Sequence, residues 1–233
     1  MGFHNQNLWI AIGFDLSHVA DYMGQTVCHQ IPDRSFSIDD KTLFVCSRCA
    51  GVYWGVVAAF FQLTLRGKIW AADPPTGYFR PILILAMAPM IIDAVILKFL
   101  GPDLGNIFRY AVGFCFGAAT FFFLQPIISQ RIGFNRKVPG LQGGRDGLSL
   151  LLVSLLFLLI VTPAVPIFPP QIYQWITLFG FFLLFTLFNL MAILYLILPS
   201  EEFESIPSVL GIYTAALLFS LAEIFIAHLI VPR

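Results

Sequence analysis

Charge is what this sequence lacks most. Asp, Glu, Lys and Arg make up 11% of its 233 residues, against roughly 25% in a typical water-soluble domain. So few charges cannot cover a solvated surface. Basic and acidic residues balance at 13 each, so nothing points to nucleic acid or to a strongly charged partner. The opening MGFHNQ lacks the basic start of a signal peptide, and Gln6 stands where myristoylation needs Ser or Thr. Membrane insertion is therefore expected to be driven by internal segments. There is no repeat at a solenoid period and no low-complexity tract. Cysteine is scarce too, and three of the four fall in one short stretch.

What the chain has in abundance is apolar sequence. Hydrophobic residues reach 58% and the mean hydropathy is +0.85. They fall in long blocks, and blocks of about 18 or more read as bilayer spans. The 25 phenylalanines suit lipid-facing helix surfaces. Six spans are expected, at 45–65, 81–100, 106–128, 148–166, 172–198 and 208–231. Polar or breaker-rich connections separate them: RGKIWAADPPTGYFR, GPDLG, SQRIGFNRKVPGLQGGRDG, IFPPQ and PSEEFESIP. Their backbone groups would go unpaired in lipid. The early apolar run NLWIAIGF is soon interrupted by Asp15, His18 and Asp21, which fits an interfacial amphipathic helix better than a further crossing. The expected class is all-α: one polytopic membrane domain with an interfacial segment over residues 1–44.

Orientation follows from basic residues in short loops. With six spans, loops 66–80, 129–147 and 199–207 share one side, which carries Arg66, Lys68, Arg80, Arg131, Arg136, Lys137 and Arg145. The opposite loops, 101–105 and 167–171, carry no basic residue. The basic side is expected in the cytoplasm and both termini outside, despite the counter-signal of Lys98.

Chemistry concentrates in residues 28–55, CHQIPDRSFSIDDKTLFVCSRCAGVYWG. Cys46 and Cys49 form a C-x-x-C at the mouth of the first span, one turn apart on one helix face. Thiolates are the soft ligands that zinc or cuprous copper selects, and Cys28, His29, Cys46 and Cys49 make a tetrahedral set. Adjacent residues such as Cys28 and His29 bind one ion only with an unusual backbone, which leaves His29 a supporting role as the alternative. A rival chemistry is thiol–disulfide exchange, because a helix N-terminus favours the thiolate and an extracytoplasmic location is oxidising. A third alternative is that Cys46 and Cys49 simply pack. Cys115, inside the third span, reads as packing.

The segments CHQIPDRSF and CSRCAGVYWG resemble the motif pair of bacterial and archaeal membrane proteins grouped as domain of unknown function 2085. The matches fall on Cys28, His29, Gln30, Pro32, Arg34, Ser35, Phe36, Cys46, Arg48, Cys49, Gly51, Tyr53 and Gly55. The family's Asp in the second span and N-x-x-R-x-x-x-G-x-x-x-G in the third match Asp93, Asn106, Arg109, Gly113 and Gly117. Ala94, Ala50 and Val112 depart from the family pattern. The resemblance covers residues 28–117 and implies a membrane protein without implying an activity.

Several polar residues fall inside spans toward the outer surface. A charge at the bilayer centre costs at least ~2.5 kcal/mol, so each needs a partner or a wet cavity. Asp93 is expected to pair with Arg109, with Gly113 and Gly117 letting another helix approach closely; an ion pair that only locks spans two and three is the plainer reading. Glu223 and His228 lie in the outward half of the sixth span, about 140° apart around the helix, and His228 can snorkel to the interface. The leading functional expectation is a zinc site on Cys28, Cys46, Cys49 and His29. Arg34, Arg48, Arg109 and Asp93 are its candidate working residues, with the arginines offering an anionic group, such as a lipid or isoprenoid headgroup, a place beside it. The alternatives are a membrane thiol oxidoreductase passing electrons to a quinone, and a transporter or structural protein. No span shows the paired Gly/Pro-interrupted halves of an inverted-repeat transporter. The expected setting is a prokaryotic inner membrane.

Overall fold

The computed structural model of the protein describes residues 16–38, 41–93, 105–132, 136–160, 162–163, 167–198 and 206–230. The run NLWIAIGF, the outward end of the second expected span, most of loops 101–105 and 199–207, and the His228 side chain lie outside the described residues. The chain is a helical bundle: α1 Leu16–Val27, α2 Ser47–Leu65, α3 Phe79–Ile92, α4 Gly105–Ser129, α5 Gly143–Leu155, α6 Pro170–Ala192 and α7 Ile206–Ile230. Wider π turns extend α5 over Leu156–Ile160 and α6 over Ile193–Ile197. Strands are minimal. β1 Ser37–Ile38 pairs antiparallel with β2 Lys41–Thr42, and β3 Ala71–Asp73 pairs parallel with β4 Arg136–Pro139.

Helix ends follow local chemistry. Leu65 is followed by Gly67, at φ 61°, and the Lys68 N–H reaches the Leu63 carbonyl at 2.8 Å. That six-to-one bond over a left-handed glycine closes α2 and satisfies a carbonyl the helix would otherwise leave open. At the other kind of end, the Pro169–Pro170 pair starts α6, because a proline at the first helical position gives up an N–H that had no partner.

Four described helices are long and apolar enough to cross a membrane: Ser47–Leu65, Gly105–Ser129, Pro170–Ile197 and Pro207–Ile226. The expected second and fourth spans are shorter as described, with α3 an apolar helix of 14 residues. Direction supplies what length does not. Gly51 meets Tyr110 and Phe114 of α4 while Gly55 meets Phe114 and Ala118, so α2 and α4 run parallel. Trp54 touches Tyr173 and Phe60 touches Phe179, so α6 runs parallel to them too. Parallel neighbours require a return pass between them, and α3 and α5 occupy those connections. α7 returns antiparallel along α6, with Asn189 bonded to Ser220 and Leu194 lining a small apolar crevice with Val209.

α2 is the axis of the bundle. It packs most extensively on α4, then on α6. A Cβ at Gly51 would fall on the Tyr110 carbonyl, at Gly55 on Phe114's, at Gly113 on Arg48's and at Gly117 on Val52's. The two backbones therefore touch directly, as small residues at four-residue spacing allow. Beside this seam, the Trp54 indole donates to Thr177 Oγ1 at 2.9 Å and its ring stacks on Tyr173. The indole N–H thus finds a partner, as a buried polar group in an apolar interior must.

The two ends of the bundle differ. At one end β3 and β4 join the loops after α2 and α4, and Arg66 Nε and Lys68 Nζ reach the carboxylate of buried Asp146 at 3.1 and 2.5 Å. At the other, the amide of Asn106, at the start of α4, donates to the carbonyls of Asp33 and Ser35 at 3.2 and 3.3 Å. The basic loops 66–80 and 129–147 thus share an end, opposite the cysteine motif.

Candidate metal centre

Three segments meet at that second end. The loop after α1 carries Cys28, the residue capping α2 is Cys46, and Cys49 sits in the first turn of α2. Their sulfurs all lie within 4.8 Å of one another, and the four cysteines are free thiols. Sulfurs around a tetrahedral zinc, with Zn–S near 2.3 Å, stand about 3.8 Å apart, so the triangle is the size such an ion needs. Among the described residues this is the one group of three or more metal-ligating side chains.

The local fold explains the convergence. Gln30 holds φ 47°, in the left-handed region that residues other than glycine seldom occupy. Its side-chain amide donates to the Phe44 carbonyl at 2.8 Å, tying the loop after Cys28 to the segment that leads from β2 into Cys46. Gly24 permits that passage, since a Cβ there would strike both the Phe44 carbonyl and the Gln30 amide. Ser47 Oγ donates to the Arg34 carbonyl at 2.9 Å, Ser35 Oγ to the Ile31 carbonyl at 3.1 Å, and Phe36 packs edge-on against Tyr110 of α4. Gln, Ser and Phe of the CHQIPDRSF motif are thus the frame that presents Cys28.

Electrostatics at the site favours one anionic sulfur, on Cys28. The Cys46 backbone N–H donates to Cys28 Sγ at 3.2 Å. Hydrogen bonds from the Cys46 and Cys49 side chains, opposed by partial burial and joined by the Cys46 and Gln30 backbone N–H groups, hold the Cys28 thiol well below its ordinary range. The cluster also crowns the N-terminus of a 19-residue helix, where unpaired N–H groups and the helix dipole stabilise negative charge. Donors aimed at sulfur are what a thiolate ligand set needs.

The structure sorts the other expected site residues. His29 is exposed and stands outside the group of three sulfurs. Cys115 is also outside it, half-buried on α4. Asp93 does not take Arg109 as its partner, which corrects the expected pair. Its buried carboxylate forms an ion pair with Arg48, and its carbonyl accepts from the same guanidinium at 3.5 Å. Arg48 precedes Cys49 directly and projects from the first turn of α2 toward the end of α3, so it wins by position. Arg109 is buried on α4, one turn before the Gly113 contact with α2. Arg34 is half-buried in the 3₁₀ turn Pro32–Arg34. Glu223 finds a partner across the helix pair, accepting from Asn189 Nδ2 at 2.8 Å.

Sequence reasoning missed Gln30 and Ser47 as builders of the site and Asp146 as the organiser of the far end. For Gln30 and Asp146 the signal is a side chain whose partners are long-range, so spacing could not reveal it. Ser47 carried a local signal, a hydroxyl beside a helix cap, though it bonds Arg34 instead of capping.

Residues 28–123 match a family described as predicted membrane protein (DUF2085). Over 106 residues the chain is 31% identical to an uncharacterized protein of Methanocaldococcus jannaschii, which spans 46% of this chain and 66% of the relative. Over 90 residues it is 29% identical to an uncharacterized protein of Methanothermobacter thermautotrophicus, 37% of this chain and 74% of that relative. No solved structure matches. The matched region begins at Cys28 and runs through α2, α3 and most of α4, so it contains the cysteine cluster, its frame and the Arg48–Asp93 pair.

Proposed function

We propose that the protein is a six-span membrane protein whose end opposite the basic loops carries a zinc centre held by Cys28, Cys46 and Cys49. The observation that carries the reading is the convergence of three sulfurs, from positions 18 and 21 residues apart in the chain, to within 4.8 Å. Backbone N–H groups directed at Cys28 support a thiolate there. A thiol-exchange site needs one attacking and one resolving cysteine, whereas here all three meet at one point. The six-span count rests on the parallel course of α2, α4 and α6. Lys and Arg in the joined loops support a cytoplasmic basic end and an extracytoplasmic metal end in a prokaryotic cell membrane.

Bound zinc would supply a Lewis acid at the membrane interface. The chain's own residues would do the rest. Gln30 and Ser47 keep the ligand loop in place, and Asp93 holds Arg48 beside it. Arg48 Nε is buried with no hydrogen-bond partner among the described residues. A buried donor of this kind is costly unless something accepts from it, which suits an anionic group such as a lipid headgroup as the ligand of this end. Arg34 and Arg109 are the further cationic candidates.

Metal analysis tests the reading. Protein purified under reductant in detergent is expected to hold about one zinc per chain, and Cys28→Ser, Cys46→Ser and Cys49→Ser are each expected to lose it, with faster proteolysis of the 28–49 loop. Metal-free protein carrying a Cys46–Cys49 disulfide would overturn the proposal in favour of thiol exchange.

A further inference from the structure

The zinc reading leaves one coordination position to account for, and the fold bears on what fills it. Zinc sites that are purely structural use four protein ligands, whereas those that act on a ligand use three and keep one position open. The sequence offers His29 as the fourth ligand, directly after Cys28. The structure separates the two: Cys28 Sγ joins the cluster, and His29 is exposed outside it. Two features of Gln30 fix the loop at this point. Its backbone is left-handed at φ 47°, and its side-chain amide is bonded to the Phe44 carbonyl. Bringing the imidazole into the cluster would mean rearranging a loop that these two features hold.

No other described histidine, cysteine or carboxylate joins the group. Asp93, the nearest acid in the family motif, has its carboxylate committed to Arg48. The three cysteines are themselves only half-buried, with Cys28 and Cys46 ahead of α2 and Cys49 in its first turn, so solvent can reach the cluster.

We infer that the metal centre is a three-thiolate site whose fourth position is filled by water, which makes it an exchangeable and not a structural centre. The inference rests on the zinc reading and goes beyond it by excluding His29 from the ligand set. It also predicts how the two fail separately.

The test uses the full chain in detergent micelles under reductant, loaded with zinc and examined by X-ray absorption at the zinc edge. Wild type is expected to show three sulfurs and one light atom, without the outer-shell scattering of an imidazole ring. A parallel titration of metal-stripped protein with cobalt(II) compares wild type with His29→Ala. The two are expected to have the same visible spectrum and dissociation constants within about threefold. Imidazole scattering, or a His29→Ala spectrum that changes together with a tenfold or larger loss of affinity, would overturn the inference while leaving the zinc site standing. A fourth sulfur in the absorption data would overturn it as well. If wild type takes up no stoichiometric zinc or cobalt, the proposed function itself has failed.

Discussion

Replacing Asp146 by Asn should destabilise the protein at neutral pH and should matter much less in acid. Asp146 sits in the first turn of α5, outside the long apolar segments, and its side chain is 2% exposed. One carboxylate oxygen accepts from Arg66 Nε at 3.1 Å, and the other from Lys68 Nζ at 2.5 Å and from the Gln142 backbone N–H at 2.7 Å. Asn keeps one acceptor oxygen and loses the charge. A hydrogen bond to a charged group contributes about 1.5–3 kcal/mol, and removing one partner of a fully buried ion pair costs about 3–5 kcal/mol. Arg66 and Lys68 remain 30% and 21% exposed, so water meets part of their demand. The expected loss is therefore about 2–3 kcal/mol, below the fully buried figure.

The pH dependence follows from the direction of the shift. Burial alone would raise the Asp146 carboxyl, but Lys68, the Gln142 N–H and Arg66 overcome it and hold the group below the usual carboxylate range. A carboxyl depressed in the folded state stabilises above its unfolded value, about 3.9, and that stability is lost as the pH falls through the folded value. Unfolding in detergent micelles, followed by tryptophan fluorescence for wild type and Asp146→Asn, should give a constant gap from pH 5 to 8. The gap should shrink below about pH 4. Equal stability at pH 7, or a gap that persists unchanged in strong acid, would refute the argument that this carboxylate fastens α2 to α5.

Three further outcomes are expected. Changing Arg48 or Asp93 alone to Ala should destabilise by about 2–4 kcal/mol, with Arg48 partly solvated at 23% exposure; a double-mutant cycle with strictly additive losses would show that the two do not interact. Gly113→Leu should cost at least about 3 kcal/mol, because its side chain would have to displace the Arg48 carbonyl of α2, whereas Gly211→Ala on α7, which meets nothing within 4 Å, should be neutral or slightly stabilising in the same melts. Single-cysteine labelling in intact cells should find position 137 protected as cytoplasmic and position 103 accessible from outside; both on one face would refute the span assignment, and an exchange would reverse only the orientation.

How much of this was legible beforehand depends on the range of the interaction involved. Hydropathy and breaker residues are local signals, and they were enough to indicate an all-α membrane bundle and to place its long helices. The turn at Gly67 and the start at Pro170 coincide with the ends of apolar blocks because the backbone chemistry of a helix end is carried by one or two residues. The candidate metal centre was half legible: a C-x-x-C at a helix mouth can be seen in the string, and the third cysteine beside it was a compositional hint. Spacing could not show that Cys28 closes the triangle while its neighbour His29 turns away, because that depends on a left-handed Gln30 held by a carbonyl fourteen residues later.

Charge partners were the least legible, because an ion pair is decided by where helices cross. Asp93 and Arg109 are close in sequence and face a common end of the bundle, yet Arg48, in the first turn of α2, takes the carboxylate. The sequence by itself determined that the chain lives in a bilayer, that its helices need close-packing glycines, and that three of its four cysteines gather around the mouth of the first long helix. Which helix each glycine stripe meets, which arginine meets Asp93, and which three of the four expected ligands share a point were decided only by tertiary structure. Those choices are made by backbone contact between α2 and α4, a surface that exists only once the two helices have packed.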